Sequence, residues 1–316
     1  MPVVAGAASI SACTCAVDRG CGHGPPGGLT VAAGTATPPR LGANVIDRDE
    51  PTGMEIHRHY GVVAPEKGWV PAPRYLLRRA RFLEHVDRLP EGGRILELGC
   101  GAGALTYELS RAGFDCTAVE HSPAAAAIAA DINRGPNAAD IRTEAEDWDG
   151  AFDGLVALEV LEHIEDDHAA LASWRQWLRP GGLMLLSVPA HPARWNAADE
   201  WAGHVRRYGR QQLRDVLEGA GMQVETIECY GFPLANLLEP VRAAKCAREL
   251  AREARGDQDR AARTASSGVE RATETRLFPL YSGWAGSQAM RLFCSTQKLF
   301  LDTDLGNGFL AVARRP

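Results

Sequence analysis

From about Arg94 onward, short apolar runs alternate with stretches of helical periodicity, and this alternation constrains the fold more than any other feature. The runs span residues 94–98, 115–119, 152–158, 183–188 and 223–229, and the helical stretches span 104–112, 123–133, 167–178 and 210–220. A parallel return between strands needs a crossover long enough for a helix, so this order specifies βαβ units and a parallel sheet in an α/β fold. The stretch 167–178 shows the local logic. Asp166 or Asp167 can cap it, Leu171, Trp174 and Leu178 recur on one face, and Arg179-Pro180-Gly181-Gly182 stops it. Ahead of the sheet, residues 72–88 read as a basic amphipathic helix with Leu76, Ala80, Leu83 and Val86 on one side. After residue 229 the next apolar run is 308–313. The segment between contains an arginine-rich stretch, 242–276, with nine basic and six acidic residues, and 240–255 has helical character. That stretch reads either as a solvated, salt-bridged helix or as a lid that aims a few arginines at an anionic substrate.

Composition narrows the function classes. With 34 basic and 40 acidic side chains among 316 residues the formal charge is −6, which argues against a general nucleic-acid or anionic-membrane binder. No apolar run approaches the roughly 18–20 residues of a spanning helix, so a cytoplasmic, enzyme-sized globule is expected. Residues 1–53 hold nine glycines, six prolines and no aromatic residue, so they read as a disordered tail or a start-site artefact, Met54 opening the ordinary sequence. Cys13, Cys15 and Cys21 lack the paired spacing of a zinc site, and no basic region precedes a sustained apolar core as in a signal peptide. The scattered Cys100, Cys116, Cys229, Cys246 and Cys294 read as reduced thiols, those in or beside apolar runs being buried.

The strongest local signal is Leu96-Glu97-Leu98-Gly99-Cys100-Gly101-Ala102-Gly103-Ala104, between a strand and a helix. Glycines there let the backbone turn tightly and approach a ligand. Gly99-x-Gly101-x-x-Ala104 also fits a dinucleotide fingerprint, with Glu120 placed for the ribose. Three neighbours decide between the readings. Glu97 would repel a pyrophosphate but could pair with an ammonium. Glu146-Asp147-Trp148 offers a carboxylate and an aromatic wall to adenine, and Glu159-Val160-Leu161-Glu162-His163-Ile164 is followed by Leu178-Arg179-Pro180-Gly181-Gly182.

Together these strings resemble the class I S-adenosylmethionine-dependent methyltransferases, from Arg94 to Cys229. The resemblance implies a Rossmann-like, three-layer, seven-stranded sheet whose last strand, 308–313, inserts antiparallel between the fifth and sixth. It divides the chain into an N-terminal helical cap (54–93), a cofactor-binding catalytic domain (94–229 with 308–316) and a helical lid inserted between strands six and seven (230–307). Carried onto this sequence, Glu97, Gly99, Cys100, Gly101 and Gly103 would line the methionine end of the cofactor. Glu120 and His121 would lie at the ribose, Asp147 and Trp148 would flank the adenine, and Leu158 would close over the cofactor.

Glu159, Glu162 and His163 are spaced i, i+3, i+4, so one helical turn at the end of the fourth strand would project them to one side. The string resembles the ubiquinone-pathway O-methyltransferases and the small-RNA 2′-O-methyltransferases, which implies a magnesium ion held with a later histidine. Gly203-His204 occupies that later place. A metal on two vicinal oxygens would lower a hydroxyl pKa and aim one oxygen at the methyl group. Without metal, His204 or His191 becomes the general base, with His163 beside them. Arg206 and Arg207 could clamp a carboxylate or phosphate, or pair at the surface; Tyr208 could line the substrate or anchor the helix that follows. Trp195 and Trp201 could wall a planar or lipidic acceptor. The expected activity is methyl transfer to a small-molecule acceptor, most simply O-methylation of a natural-product, aromatic or glycan scaffold, with homodimerisation left open. RNA methylation, nicotinamide-dependent oxidoreduction and non-catalytic cofactor binding are the competing readings.

Overall fold

The apolar runs become the strands of one sheet. A computed structural model describes residues 53–57, 59–135, 138–253 and 272–316. The expectations for the N-terminal tail with its three cysteines, and for the arginine-rich stretch over 254–271, lie outside the described residues. Strands β3 (Arg94–Leu98), β4 (Asp115–Val119), β5 (Asp140–Arg142), β6 (Phe152–Leu158), β7 (Leu178–Pro189), β8 (Gln223–Tyr230) and β9 (Gly308–Arg314) pair in the order β5-β4-β3-β6-β7-β9-β8. The first five pair in parallel, and β9 is antiparallel to both β7 and β8. The chain steps outward from β3 to β5 and then returns to lay β6 beside β3. The strand order reverses there, and open α/β sheets bind ligands outside the carboxyl ends of the strands at such a point.

Helices cover both faces. On one side α4 (Asp167–Trp177) and α6 (Arg210–Gly219) contribute Leu171, Trp174, Leu213 and Leu217 against Met184, Leu186 and Val188 of β7. On the other, α1 (Pro73–Val86) and α2 (Ala104–Arg111) set Phe82, Val86, Leu105 and Leu109 against Leu183 and Leu185. Successive β7 residues thus point to opposite cores, as a period of two requires. Helix α3 (Pro123–Ile132) is capped by Ser122, and α4 is capped by Asp166, whose carboxylate accepts from Ala169 N–H. The glycine pair after α4 does not stop the chain in a free turn: β7 already begins at Leu178, and Gly181 N–H donates to Arg315 O.

The N-terminal cap is not wholly helical. A hairpin of β1 (Glu55–His57) and β2 (Gly61–Val63) precedes α1, because Gly61 takes the left-handed turn (φ +71°) that lets Val62 and Val63 run back alongside. Tyr60, Val62, Trp69 and Tyr75 bury against Tyr107 of α2 and Met290. Met290 lies on α9 (Trp284–Thr296), which with α7 (Leu234–Glu253) and α8 (Ala272–Ser282) belongs to the segment between β8 and β9. Buried Gln297 ties this segment to α1, accepting from Gly231 N–H and donating to Leu77 O at 3.0 Å each. Among the described residues no helix is long and apolar enough to cross a membrane.

Candidate active site

The glycine loop leaves β3 with three successive left-handed glycines, Gly99, Gly101 and Gly103, at φ 64°, 56° and 71°. Gly103 begins α2, and a Cβ there would lie 2.5 Å from Asn133 Nδ2, so the loop packs directly on α3. Glu120, just beyond β4, pins the loop: one carboxylate oxygen accepts from Gly101 N–H and the other from Ser122 N–H, both at 2.8 Å. Glu97 is buried at the end of β3 and accepts from the Thr106 hydroxyl. Burial pushes its carboxyl up to about 7 despite that hydrogen bond. Cys100 is buried with its thiol pushed upward by the same desolvation. His121 places Nδ1 2.8 Å from Thr143 O. Asp147 is exposed, Leu158 is half-buried, and half-buried Trp148 meets Phe152 and Trp177 edge-on.

The next strand end, after β6, touches this loop: a Cβ on Gly99 would lie 2.6 Å from Val160 Cγ2. The expected helical turn carrying Glu159, Glu162 and His163 together does not form. Glu159 itself takes φ 63°, and only Leu161–His163 turn, as a 3-10 helix. Glu162, His163 and His204 do converge, one potential ligand atom from each lying within 4.8 Å of the others. Glu162 is fully buried and neither carboxylate oxygen accepts a hydrogen bond; His204 Nε2 lies 3.8 Å from Oε1. Burial, then the charge of Glu159, pushes the Glu162 carboxyl well above its ordinary range. Glu159 is diverted from that cluster. Its Oε1 accepts from Tyr230 Oη at 3.0 Å and from Ser187 Oγ at 3.2 Å. Burial would raise its pKa, but Arg78 and Arg74 outweigh burial and hold it at about 2.

His204 owes its position to Asp199, on α5 (Ala197–Ala202). His204 Nδ1 lies 2.9 Å from Asp199 Oδ1, the arrangement of a ring N–H donating to a carboxylate. The same carboxylate accepts from Asn196 N–H at 2.9 Å, closing the α5 capping box, and from Arg207 Nε at 2.8 Å. Burial opposes its charge, but His204 and Arg207 keep its pKa well below the usual carboxylate range.

The other expected site residues are placed differently. Arg207 also pairs with Glu239 of α7, and Arg206 pairs with Asp167 and donates to Glu165 O. Both guanidiniums therefore have internal partners. Tyr208 is fully buried and donates to Asp167 at 2.7 Å, in the anchoring role rather than on an open surface. His191 lies after β7 with Nε2 at 3.1 Å from Gly306 O and 3.8 Å from Cys229 Sγ, apart from the cluster. Trp195 is exposed and Trp201 is half-buried on α5.

Four residues at the site carry no signal that the sequence reading used. Asp199 stands three residues after Asn196, the spacing of a capping box, which could have revealed it. Arg74 and Arg78, spaced i, i+4 on α1, share Glu159 at 3.9 and 3.6 Å. Tyr230 ends β8 and reaches Glu159 across Gly308 of β9, where a Cβ would lie 2.4 Å from the tyrosine ring.

Residues 72–227 match the family model described as a methyltransferase domain, spanning the glycine loop, the Glu162 cluster and His204. The chain carries a class I S-adenosylmethionine-dependent methyltransferase domain. A ubiquinone biosynthesis O-methyltransferase of Xanthomonas axonopodis pv. citri (strain 306) is 29% identical to this methyltransferase over 176 residues, 49% of this chain and 73% of that protein. The protein of that name from Xanthomonas euvesicatoria pv. vesicatoria (strain 85-10) is 28% identical over the same length and shares. Among solved structures, the 4+2 cyclase SpnF aligns with TM-score 0.52 and 20% identity over 77% of this chain and 82% of that one. That likeness is one of fold. S-adenosylmethionine is the cofactor that membership of the class implies.

Proposed function

We propose that this methyltransferase O-methylates a hydroxyl of a small molecule, with His204 as general base. The observation that carries the reading is the buried His204 imidazole, fixed through Nδ1 by Asp199 while Nε2 lies 3.8 Å from the Glu162 carboxylate in the segment after β6. With Nδ1–H donated to Asp199, Nε2 keeps its lone pair and can take the hydroxyl proton. When bound, S-adenosylmethionine would supply an electrophilic methyl group to the hydroxyl oxygen that His204 has relieved of its proton, with S-adenosylhomocysteine as the other product. Displacement at carbon is in line, so holding oxygen, carbon and sulfur in one axis supplies much of the rate. On the cofactor side, ionised Glu97 would pair with the ammonium, and Glu120, already held at both oxygens, would present its remaining lone pairs to the ribose.

A second reading is favoured by Glu162, whose buried, unbonded carboxylate oxygens are what a cation ligand looks like before the cation is added. Glu162, His163 and His204 would hold a divalent ion, and the ion would supply Lewis acidity to an acceptor hydroxyl. Two imidazoles with one carboxylate form a softer donor set than magnesium usually takes, so manganese and zinc belong beside it in any trial. His204 Nε2 cannot be ligand and base at once, and chelation separates the two uses. Transfer of labelled methyl to a panel of phenols, with and without chelator, tests both. His204→Ala should lower turnover by roughly 100-fold or more. Turnover unmoved by that substitution rejects both roles. Loss in chelator, restored by one of the metals, assigns His204 as ligand.

A further inference from the structure

Helix α1 carries four arginines that the structure treats in two ways. Arg79 is buried against Glu108, with Nε at 2.9 Å from Oε1, and Arg81 is buried in a two-pronged pair with Glu228 at 2.8 and 2.9 Å. Each of these has its own carboxylate. Arg74 and Arg78 lie on another face, one turn apart, and both turn to the single carboxylate of Glu159. Arg78 Nε is buried and makes no hydrogen bond. A third guanidinium, Arg242 of α7, approaches the same place and has no ion pair or hydrogen bond among the described residues. The Arg74 charge, then burial, holds Arg242 down to about 10, outweighing the attraction of Asp199 and Glu159. Of the other carboxylates nearby, Asp199 is taken by His204 and Arg207 and Glu239 by Arg207 and Asn196, while burial and the charge of Glu159 disfavour ionisation of Glu162. Three guanidiniums thus share one ionised carboxylate, that of Glu159.

We infer that Arg74, Arg78 and Arg242 form a subsite for an oxyanion, a carboxylate or a phosphate monoester, carried by the methyl acceptor. Arginine forks match such groups in two parallel hydrogen bonds, and like charges held together out of water are relieved by an anion between them. Glu159 occupies this subsite as its resident counter-ion, which leaves Arg74 and Arg242 as the cations in excess. Through Arg242, helix α7 contributes to specificity for that anion. Arg206 and Arg207, which the sequence offered for this role, are bound elsewhere.

As a statement about the acceptor, the inference rests on the proposed methyl transfer, but binding alone tests it. The full-length protein, saturated with S-adenosylhomocysteine, is titrated calorimetrically with benzoate, phenyl phosphate and benzamide as the neutral analogue. At least one anion is expected to bind tenfold or more tightly than benzamide, and which one does so identifies the oxyanion. Arg74→Gln and Arg242→Gln should each reduce that preference by severalfold while leaving S-adenosylhomocysteine affinity unchanged, which reports an intact fold. Glu159→Gln, which removes the resident counter-ion, should tighten anion binding, a direction that a structural role would not produce. Equal binding of all three probes, no binding of either anion, or a preference that survives both arginine substitutions overturns the inference. If the preference holds but no hydroxylated acceptor receives methyl, the failure lies with the methyl-transfer reading alone.

Discussion

Single side chains set two opposite electrostatic tasks a few residues apart. Glu97 has a pKa of about 7 against an ordinary 4.5, because burial penalises its charge. Between those values the folded chain keeps a proton that the unfolded chain has lost. The contribution of Glu97 to cofactor-free stability therefore falls as pH rises from about 4.5 through about 7. Binding the cofactor ammonium needs the ionised form, so S-adenosylhomocysteine affinity should move the other way, rising about tenfold per pH unit up to about 7. Glu97→Gln should flatten that slope; a wild-type affinity independent of pH between 5 and 7 contradicts the pairing. Asp199 performs the converse task, staying ionised to orient His204. Asp199→Asn keeps the shape but offers its nitrogen or its oxygen to Nδ1, so turnover should fall well below wild type while cofactor affinity holds.

Among the elements, α1 matters most to the site because it is fastened to the sheet by buried charges while presenting Arg74 and Arg78. Glu228 of β8 accepts from both Arg81 and His85; burial opposes its charge, but these two partners hold its pKa at about 2. Breaking such a buried pair from one side typically costs about 3–5 kcal/mol, since the partner is left charged and unpaired. Glu228→Gln should therefore lower the unfolding midpoint by several degrees and weaken anion binding through loss of α1 register. An unchanged midpoint in a thermal scan would show that water replaces the pair. Because the folded pKa is depressed, this stabilisation is present above about pH 4.5 and is lost as pH falls through about 2.

At the scale of the whole molecule, β9 decides whether β8 joins the five parallel strands. It pairs along its length with β7 on one side and β8 on the other, and residues 308–313 are buried. Removing residues 308–316 would leave two long unpaired edges facing an empty slot, so the truncated chain should be insoluble or lack a cooperative unfolding transition. A soluble, cooperatively unfolding product would mean that β7 and β8 can close directly. The segment between β8 and β9 is anchored in the sheet at both ends, and Glu239 of its helix α7 pairs with Arg207. Its helices also expose Leu237, Val241, Leu280 and Trp284, while Met290 and Cys246 face inward.

The strands and the glycine loop were legible in the sequence because both rest on local physics, whereas the place of β9 between β7 and β8 was legible only through resemblance. Strand and helix periods, capping residues and glycines that must take left-handed angles act within a few positions, so the expected β3, β4 and β6 match the observed strands end to end. The Glu162, His163 and His204 convergence was legible through resemblance, although the local geometry assigned to Glu159 was not: a non-glycine residue at positive φ is held there by its surroundings. Which arginines are free was not legible. Arg74, Arg78, Arg79 and Arg81 look alike in a helix, and so do Arg206 and Arg207 in a loop. Their roles follow from which carboxylate, brought from tens or hundreds of residues away, reaches each one first. Pairing between distant charges depends on position in space, and only the tertiary structure supplies that.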